Sequence, residues 1–181
     1  MKEDQLGKVL ELGCGTGQFT IALNDIASEV VATDFSDEMI EFAKKKRENL
    51  KKVTFEKADA LNLHYDNKSF DSIFMANLIH VIGNAEKVIQ ESRRVLKDGG
   101  RIIITSFAIE EMNFFNKLSM VFRYLRTFGK FSREATKENT SKKRIEGMLK
   151  NNGFEIIKSL VLGNKSKAIY ITAKYSYNHE N

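Results

Sequence analysis

The residues with the clearest chemical signal are three alternating glycines near the start of the sequence. Gly13, Gly15 and Gly17 lie within the segment VLELGCGTGQFT, after a short apolar run and before a helix-like stretch. Glycine at such a turn permits positive φ angles and lets a ligand lie against the backbone, and the start of a following helix favours a negative group. A small anion or carboxylate therefore fits this turn best. Val9 to Asn24 contains no lysine or arginine that would offset the charge of a pyrophosphate.

An acidic residue extends this pattern. Asp34 lies at the end of the second predicted strand, directly after Thr33, where a carboxylate can accept both hydroxyls of a ribose. A dinucleotide-binding turn would need glycine where Gln18 stands, and a P-loop would need Gly-Lys-Ser or Gly-Lys-Thr after the glycines. The glycines and Asp34 together predict a site for a nucleoside with a carboxylate-like group at its other end.

The hydrophobic pattern predicts the elements that must position these residues. Short β-branched runs alternate with amphipathic stretches, which is typical of a parallel sheet with helices on both faces. Strands are predicted at Lys8–Leu12, Glu29–Thr33, Val53–Lys57, Phe70–Met75 and Arg101–Ser106, and then as a hairpin of Phe154–Leu162 and Lys167–Tyr175. Helices are predicted at about 17–27, 37–48, 84–96 and 141–151, with Ser36, Asn84 and Ser141 at helix starts. The sheet should therefore end in an antiparallel pair.

Length and composition narrow the class of protein. The chain has 181 residues, 42% of them hydrophobic, which suits a single globular domain over residues 1–181. No apolar run is long enough to span a membrane, and the charged start MKEDQLGK is unlike a signal peptide, so we expect a cytoplasmic protein. The single cysteine, Cys14, and the scattered His64, His80 and His179 predict neither a disulfide nor a metal site.

Four motifs in sequence order resemble one family. ELGCGTG with Asp34 downstream, ADAL around Asp59, SFDSIFMANLIHVI and LKDGGRIII resemble the class I, seven-stranded S-adenosylmethionine-dependent methyltransferases, in particular their small-molecule and quinone-type branch. The resemblance covers about residues 8–106 by motif and 141–175 by pattern. It implies a doubly wound α/β fold with helices on both faces of a mostly parallel sheet of order 3-2-1-4-5-7-6, whose last strand is antiparallel. It also implies S-adenosyl-L-methionine as cofactor.

One motif departs from the family pattern. The usual proline of its LKPGG turn is Asp98 here, and the chain has no proline at all. A type II turn can still form on Gly99 and Gly100. We interpret the change as the loss of a rigid residue.

The resemblance assigns roles around the methionine part of the cofactor. The backbone from Gly13 to Gly17, including Cys14, would lie along this part. Asn77 and Leu78 would make backbone contacts near its amino group and sulfonium. Glu11 would order the loop indirectly, and we expect Cys14 to be inert beneath the cofactor.

A second group would bind the nucleoside part. By the same resemblance, Asp34 would accept the ribose hydroxyls, and Phe35 and Met39 would flank the adenine. Asp59 would accept from the adenine amino group, and the backbone N–H of Ala60 would contact the ring. These assignments complete the predicted cofactor site.

Methyl transfer from a sulfonium is an in-line displacement in which the positive charge disappears, so alignment and exclusion of water matter most. His80 follows the fourth predicted strand and is our candidate base; the alternative is a histidine that packs or orients. Asp71 is expected to pair within its motif. Methylation of DNA amines would need an Asn- or Asp-Pro-Pro-aromatic signature, and cytosine C5 methylation a cysteine nucleophile, so neither reaction fits this chain.

Residues 107–140, between the fifth strand and the last helix, form the variable segment. Its apolar residues recur at helical spacing: Phe114, Leu118, Val121, Leu125 and Phe128. Core packing with a solvated basic face, a cap or lid over an apolar substrate, and an interfacial membrane helix all fit this pattern. Because the first strand begins near residue 8, we expect this helical segment to close a site that relatives cover with earlier helices.

The sequence is compatible with more than one kind of methyl acceptor. Our first interpretation is transfer to a small molecule, in particular an apolar or aromatic one. The alternatives are a non-catalytic cofactor-binding subunit that needs a partner, and an RNA-modifying enzyme that uses the basic segment within 107–153. The net charge of +5 permits nucleic-acid or peripheral membrane contact, but lysine-rich solvated surfaces give the same value. Nucleic acid is the less favoured partner, and a homodimer stays open.

Overall fold

The computed structural model describes residues 6–108, 141–164 and 167–176. These ranges contain seven strands and four helices. In chain order they are β1 (Lys8–Leu12), α1 (Thr20–Ile26), β2 (Glu29–Asp34), α2 (Asp37–Lys46), β3 (Val53–Lys57), β4 (Phe70–Ala76), α3 (Ala85–Val95), β5 (Leu96–Phe107), α4 (Lys142–Asn151), β6 (Phe154–Leu162) and β7 (Ala168–Tyr175). The predicted cap, residues 107–140, lies outside the described residues except for Phe107 and Ala108.

The strands form one sheet of order β3-β2-β1-β4-β5-β7-β6. Neighbouring strands are parallel except for β7, which runs antiparallel to both β5 and β6. This confirms the predicted fold class and strand order. The chain order reverses between β1 and β4, and ligands of such sheets bind at this point, outside the carboxyl ends of the strands.

Two apolar cores lie on opposite faces of the sheet, because successive side chains of a strand alternate between its faces. Leu10 of β1 packs in the core that includes α3 and α4, with Ile89 and Leu149. Val9 packs in the other core, with Ile40 of α2. Both faces of the central strands are therefore buried, and no described helix is long and apolar enough to cross a membrane.

The three predicted helix starts are confirmed. Ser36, Asn84 and Ser141 are the N-cap residues of α2, α3 and α4. Each side-chain oxygen accepts from the backbone N–H three residues later, at 3.3, 3.0 and 3.3 Å respectively. Such a bond satisfies one of the free donors of a first helical turn.

Two boundaries differ from the prediction by more than two residues. Helix α1 begins at Thr20 and not near residue 17, because the preceding glycine turn has positive φ angles that a helix cannot adopt. Strand β5 begins at Leu96 rather than Arg101, with a register shift in its pairing to β4. Gly99 has a φ of 73°, which fits the third position of the expected type II turn. Asp98, in place of the usual proline, pairs with Lys68 at 2.7 Å.

Candidate functional site

The three glycines form a turn at the carboxyl end of β1, and their φ angles are 72°, 53° and 70° for Gly13, Gly15 and Gly17. A Cβ atom on Gly13 would lie 3.1 Å from the side chain of Leu78, and one on Gly17 would lie 3.0 Å from that of Arg47. A Cβ on Gly15 would meet nothing within 4 Å. Gly13 and Gly17 thus have little room for a side chain, whereas Gly15 faces open space.

Asp34 links this turn to the start of α2. Its Oδ2 accepts from the backbone N–H of Gly15 at 2.9 Å, and its Oδ1 accepts from that of Ser36 at 3.0 Å. Carboxylate oxygens each have two acceptor sites, so both can still accept a hydroxyl. The structure thus brings together Gly15 and Asp34 as the sequence predicted, and their direct bond is an additional finding.

Arg47 is a residue of this site that the sequence analysis missed. It follows α2 and donates from Nε to the carbonyl of Gly17 at 3.2 Å, and from Nη2 to Oε1 of Gln18 at 3.2 Å. The turn has no basic residue of its own, yet it is held by a guanidinium 30 residues away. Arg47 lies in the basic run KKKR, so nothing in its local pattern distinguishes it.

Glu11 and Cys14 are buried beneath the turn. Glu11 is 2% exposed and accepts from the Thr20 hydroxyl at 2.5 Å. Burial raises the pKa of Glu11 from 4.5 to about 7, and the bond from Thr20 opposes this change. Burial, with the nearby Glu11 and Asp34 carboxylates, also raises the pKa of the Cys14 thiol. Cys14 is therefore a neutral and unreactive thiol.

The predicted adenine-binding residues lie around the ends of β2 and β3. Phe35 is 70% exposed and Met39 38% exposed, so both apolar side chains are accessible to a ligand. Lys57 lies 5.8 Å from the centroid of the Phe35 ring. Asp59 accepts from the backbone N–H of Leu61 at 2.9 Å, so one of its oxygens shapes its own loop.

Arg94 of α3 anchors the loop that carries Asp59. It donates to the carbonyls of Leu63 and Tyr65, each at 2.7 Å. Its Nη2 also donates to Glu91 at 2.9 Å, and Glu91 accepts from the backbone N–H of Leu63 at 3.0 Å. The hydrogen bond from Arg94, the bond from the Leu63 N–H and the positive charge of Arg94 together lower the pKa of Glu91. The loop after β3 is therefore fixed by α3.

Asn77, Leu78 and His80 follow β4 next to the glycine turn. Asn77 has a φ of 56°, rare for a residue other than glycine, and its N–H donates to the carbonyl of Thr105 at 2.8 Å. His80 Nδ1 lies 3.0 Å from the Ser106 hydroxyl, and its ring meets Phe107 edge-on at 5.6 Å. Burial lowers the pKa of His80, so the ring is neutral near pH 7.

Two cavities lie at the opposite edge of the sheet, by the amino ends of the strands. One, of about 220 Å³, includes Arg93 and Tyr175 in its lining; the other, of about 370 Å³, includes Gly7 and Asp71. Asp71 accepts from the backbone N–H of Lys8 at 2.8 Å and pairs with Lys97 at 2.7 Å, so it forms a pair as expected, but with residues outside its own motif. Neither cavity includes the glycine turn, and no cluster of three metal-ligating residues occurs within the ranges described.

Comparison with known proteins agrees with this arrangement. A family model described as a methyltransferase domain matches residues 3–153. Among curated proteins, the chain is 37% identical over 101 residues to a demethylmenaquinone methyltransferase of Clavibacter sepedonicus, covering 56% of this chain and 41% of that protein. It is 29% identical over 136 residues to the Staphylococcus epidermidis protein of that name, covering 72% and 56%.

The chain thus spans about half the length of these two relatives. Among solved structures, a SAM-dependent methyltransferase from Aquifex aeolicus superposes with a TM-score of 0.74 at 21% identity, covering 95% of this chain and 84% of that one. At this identity the superposition shows the fold alone. The family model covers most of the sequence, and the strand order and glycine turn agree with it, so the chain belongs to the family of class I methyltransferase domains.

Proposed function

We propose that this chain is an S-adenosylmethionine-dependent methyltransferase that acts on a small-molecule acceptor. The observation that carries the proposal is the pairing of Gly15 with Asp34. Space above Gly15 is open for a ligand, and the Asp34 carboxylate lies 2.9 Å from its N–H. A ligand that lies on this backbone would have the Asp34 carboxylate as an acceptor for its ribose hydroxyls. The exposed Phe35 ring follows Asp34 directly in the chain.

The residues present fit the cofactor. Asp34 suits the ribose hydroxyls, and the exposed Phe35 and Met39 suit an adenine ring between apolar side chains. The half-buried Asp34 and, above its pKa, the buried Glu11 give the turn a negative environment, which suits a ligand that carries a positive sulfonium. When bound, the cofactor supplies an electrophilic methyl group. The residues of this chain then have to orient the acceptor and exclude water.

The proposed acceptor is an apolar, quinone-type ring. The two curated relatives are demethylmenaquinone methyltransferases. On this chain, Phe107, whose ring contacts that of His80, and Val81, the next residue after His80, are exposed apolar side chains. Such side chains next to a polar group suit an aromatic acceptor that bears oxygen. We also propose a cytoplasmic location, and that residues 107–140 help to cover the acceptor.

Calorimetry with the reaction product S-adenosylhomocysteine tests the cofactor assignment. Asp34→Asn should weaken binding by about 10- to 150-fold, since charge-assisted bonds are worth about 1.5–3 kcal/mol. The matched control is Asp37→Asn, an exposed carboxylate that pairs with Lys57. An analogue without ribose hydroxyls should bind both Asp34 forms equally, which separates the ribose contact from the bond to Gly15. Absence of any binding by the wild-type protein would refute the proposal.

Transfer is tested separately with labelled S-adenosylmethionine and a demethylated naphthoquinol of short side chain. We expect the label in the quinol, detected by mass spectrometry. The rival function is a non-catalytic subunit that binds the cofactor and needs a partner. Normal product binding with no label in this quinol or in a cell extract would favour the rival, and label in RNA would favour the RNA-modifying alternative.

A further inference from the structure

The contact between His80 and Ser106 joins two segments of the candidate site. His80 lies in the loop after β4, and Ser106 lies near the end of β5. The Ser106 residue is 0% exposed, and its Oγ lies 3.0 Å from Nδ1 of His80. Within the described part of the chain, the Ser106 hydroxyl has no other hydrogen-bond partner.

The lack of a second partner decides which atom donates. If Nδ1 carried the proton, it would donate to Ser106 Oγ, and the buried hydroxyl proton would have no acceptor among the described residues. If Ser106 donates instead, the hydroxyl proton is satisfied by the lone pair of Nδ1. Because a buried donor without an acceptor is costly, the tautomer with the proton on Nδ1 should be less populated than the other by about tenfold or more. A neutral imidazole has one proton, so that proton then lies on Nε2.

We propose that Ser106 is a positioning residue that holds neutral His80 in its Nε2–H tautomer, so that His80 offers the methyl acceptor a hydrogen-bond donor. The donor role towards the methyl acceptor rests on the function proposed above, whereas the assignment of the tautomer does not. In this state His80 cannot serve as a base through Nε2, since Nε2 has no free lone pair. The sequence-based hypothesis of a base therefore gives way to an orienting role.

This assignment narrows the class of acceptor. An Nε2–H donor suits an acceptor with a carbonyl or an ionised phenol-type oxygen next to the reacting atom. The Nε2–H donor does not suit a methyl acceptor that must transfer a proton to His80 in order to react. The Phe107 ring, edge-on and 5.6 Å from the imidazole, adds an apolar contact to the imidazole beside this donor.

NMR of histidine labelled with ¹⁵N tests the tautomer directly, because protonated and unprotonated ring nitrogens resonate far apart. The His80 signals are those lost in His80→Gln. We expect an unprotonated Nδ1 and a protonated Nε2 in the wild type and in Ser106→Thr, which keeps the hydroxyl. Ser106→Ala should give a mixture of the two tautomers. A wild-type His80 protonated at Nδ1 would overturn the proposal.

Ser92→Ala is the matched control. Ser92 is also 0% exposed, and its hydroxyl has no partner among the described residues. Its loss removes a buried serine hydroxyl without touching His80, so the His80 spectrum should not change. A change as large as that in Ser106→Ala would show that the spectrum reports general loosening and would also overturn the proposal.

Turnover tests the donor role once an acceptor is methylated. The glutamine of His80→Gln still has N–H donors, whereas the alanine of His80→Ala has none. We expect His80→Gln to keep turnover within about tenfold of the wild type and His80→Ala to lose about 100-fold, as for the loss of a hydrogen-bond donor at a reacting oxygen. Equal losses in the two variants would refute the donor role. If the wild type transfers no methyl group, the function has failed, and the NMR result still decides the tautomer.

Discussion

Glu11→Gln should stabilise the fold, and the gain should grow with pH. Burial raises the pKa of Glu11 from 4.5 to about 7, so the folded state holds this proton more strongly than the unfolded state. The stability that Glu11 contributes is fully present below pH 4.5 and is lost as pH rises through 7. Glutamine resembles the protonated carboxyl at every pH and keeps an oxygen that can accept from Thr20.

The expected magnitude follows from the same values. One pH unit corresponds to about 1.4 kcal/mol, so a pKa change from 4.5 to about 7 is worth about 3 kcal/mol above pH 7. At pH 5, most of the loss has not yet occurred, and the expected gain is about 1 kcal/mol. Glu11 is 2% exposed, so solvent screening does not reduce these values greatly.

Urea denaturation at several pH values between 5 and 8 measures the free energy of unfolding of both proteins. Glu155→Gln, at an exposed position of β6, controls for the general loss of one negative charge. The gain from Glu11→Gln should rise across this range, whereas the control should show no such rise. A gain that is constant or falls with pH would refute the reasoning on burial.

Two further predictions use the same assays. Gly15→Ala should destabilise by about 1–2 kcal/mol, because φ is 53°, and should weaken S-adenosylhomocysteine binding over tenfold by occupying the open space. The control is Gly147→Ala in α4, where a Cβ meets nothing within 4 Å, and it should stabilise the protein by about 0.5–1 kcal/mol. Normal S-adenosylhomocysteine binding by Gly15→Ala would contradict a ligand that lies over Gly15. Arg94→Lys should cost about 2–3 kcal/mol, because lysine cannot bond both Leu63 and Tyr65 carbonyls in the same fork, and unchanged stability would contradict the anchoring role.

Local sequence patterns predicted the scaffold well. The bounds of β1, β3 and β6 agree with the prediction. β1 is a buried, largely apolar run, whereas the edge strands β3 and β6 combine apolar or β-branched residues with polar ones and alternate in burial. Helix starts were predictable because an N-cap bond joins residues three apart in sequence. In these cases the physical cause lies within a few residues of its effect.

Contacts between distant residues could not be predicted in this way. Arg47 reaches Gly17 from 30 residues away, and Ser106 reaches His80 from 26 residues away. Both depend on which loops the strand order brings together, and an arginine or a serine at either position has no local signature. The late start of α1 was missed for a different reason, since the turn glycines interrupt a stretch whose composition favours a helix.

The positions of the nearby charged groups explain why the ligand turn has no basic residue of its own. Asp34 accepts from the N–H of Gly15, and Arg47 donates to the carbonyl of Gly17. The backbone is thus held from both sides, and the guanidinium of Arg47 is directed at the protein. The carboxylate of Asp34 lies at the open space next to Gly15, and Glu11, buried beneath the turn, adds a second negative charge above its pKa. A pyrophosphate would be repelled there, whereas a ligand that combines ribose hydroxyls with a positive sulfonium is favoured, so the wild-type protein should bind S-adenosylmethionine more tightly than NAD in calorimetry. Tighter binding of NAD would contradict the electrostatic argument even if the fold and the glycine turn are unchanged.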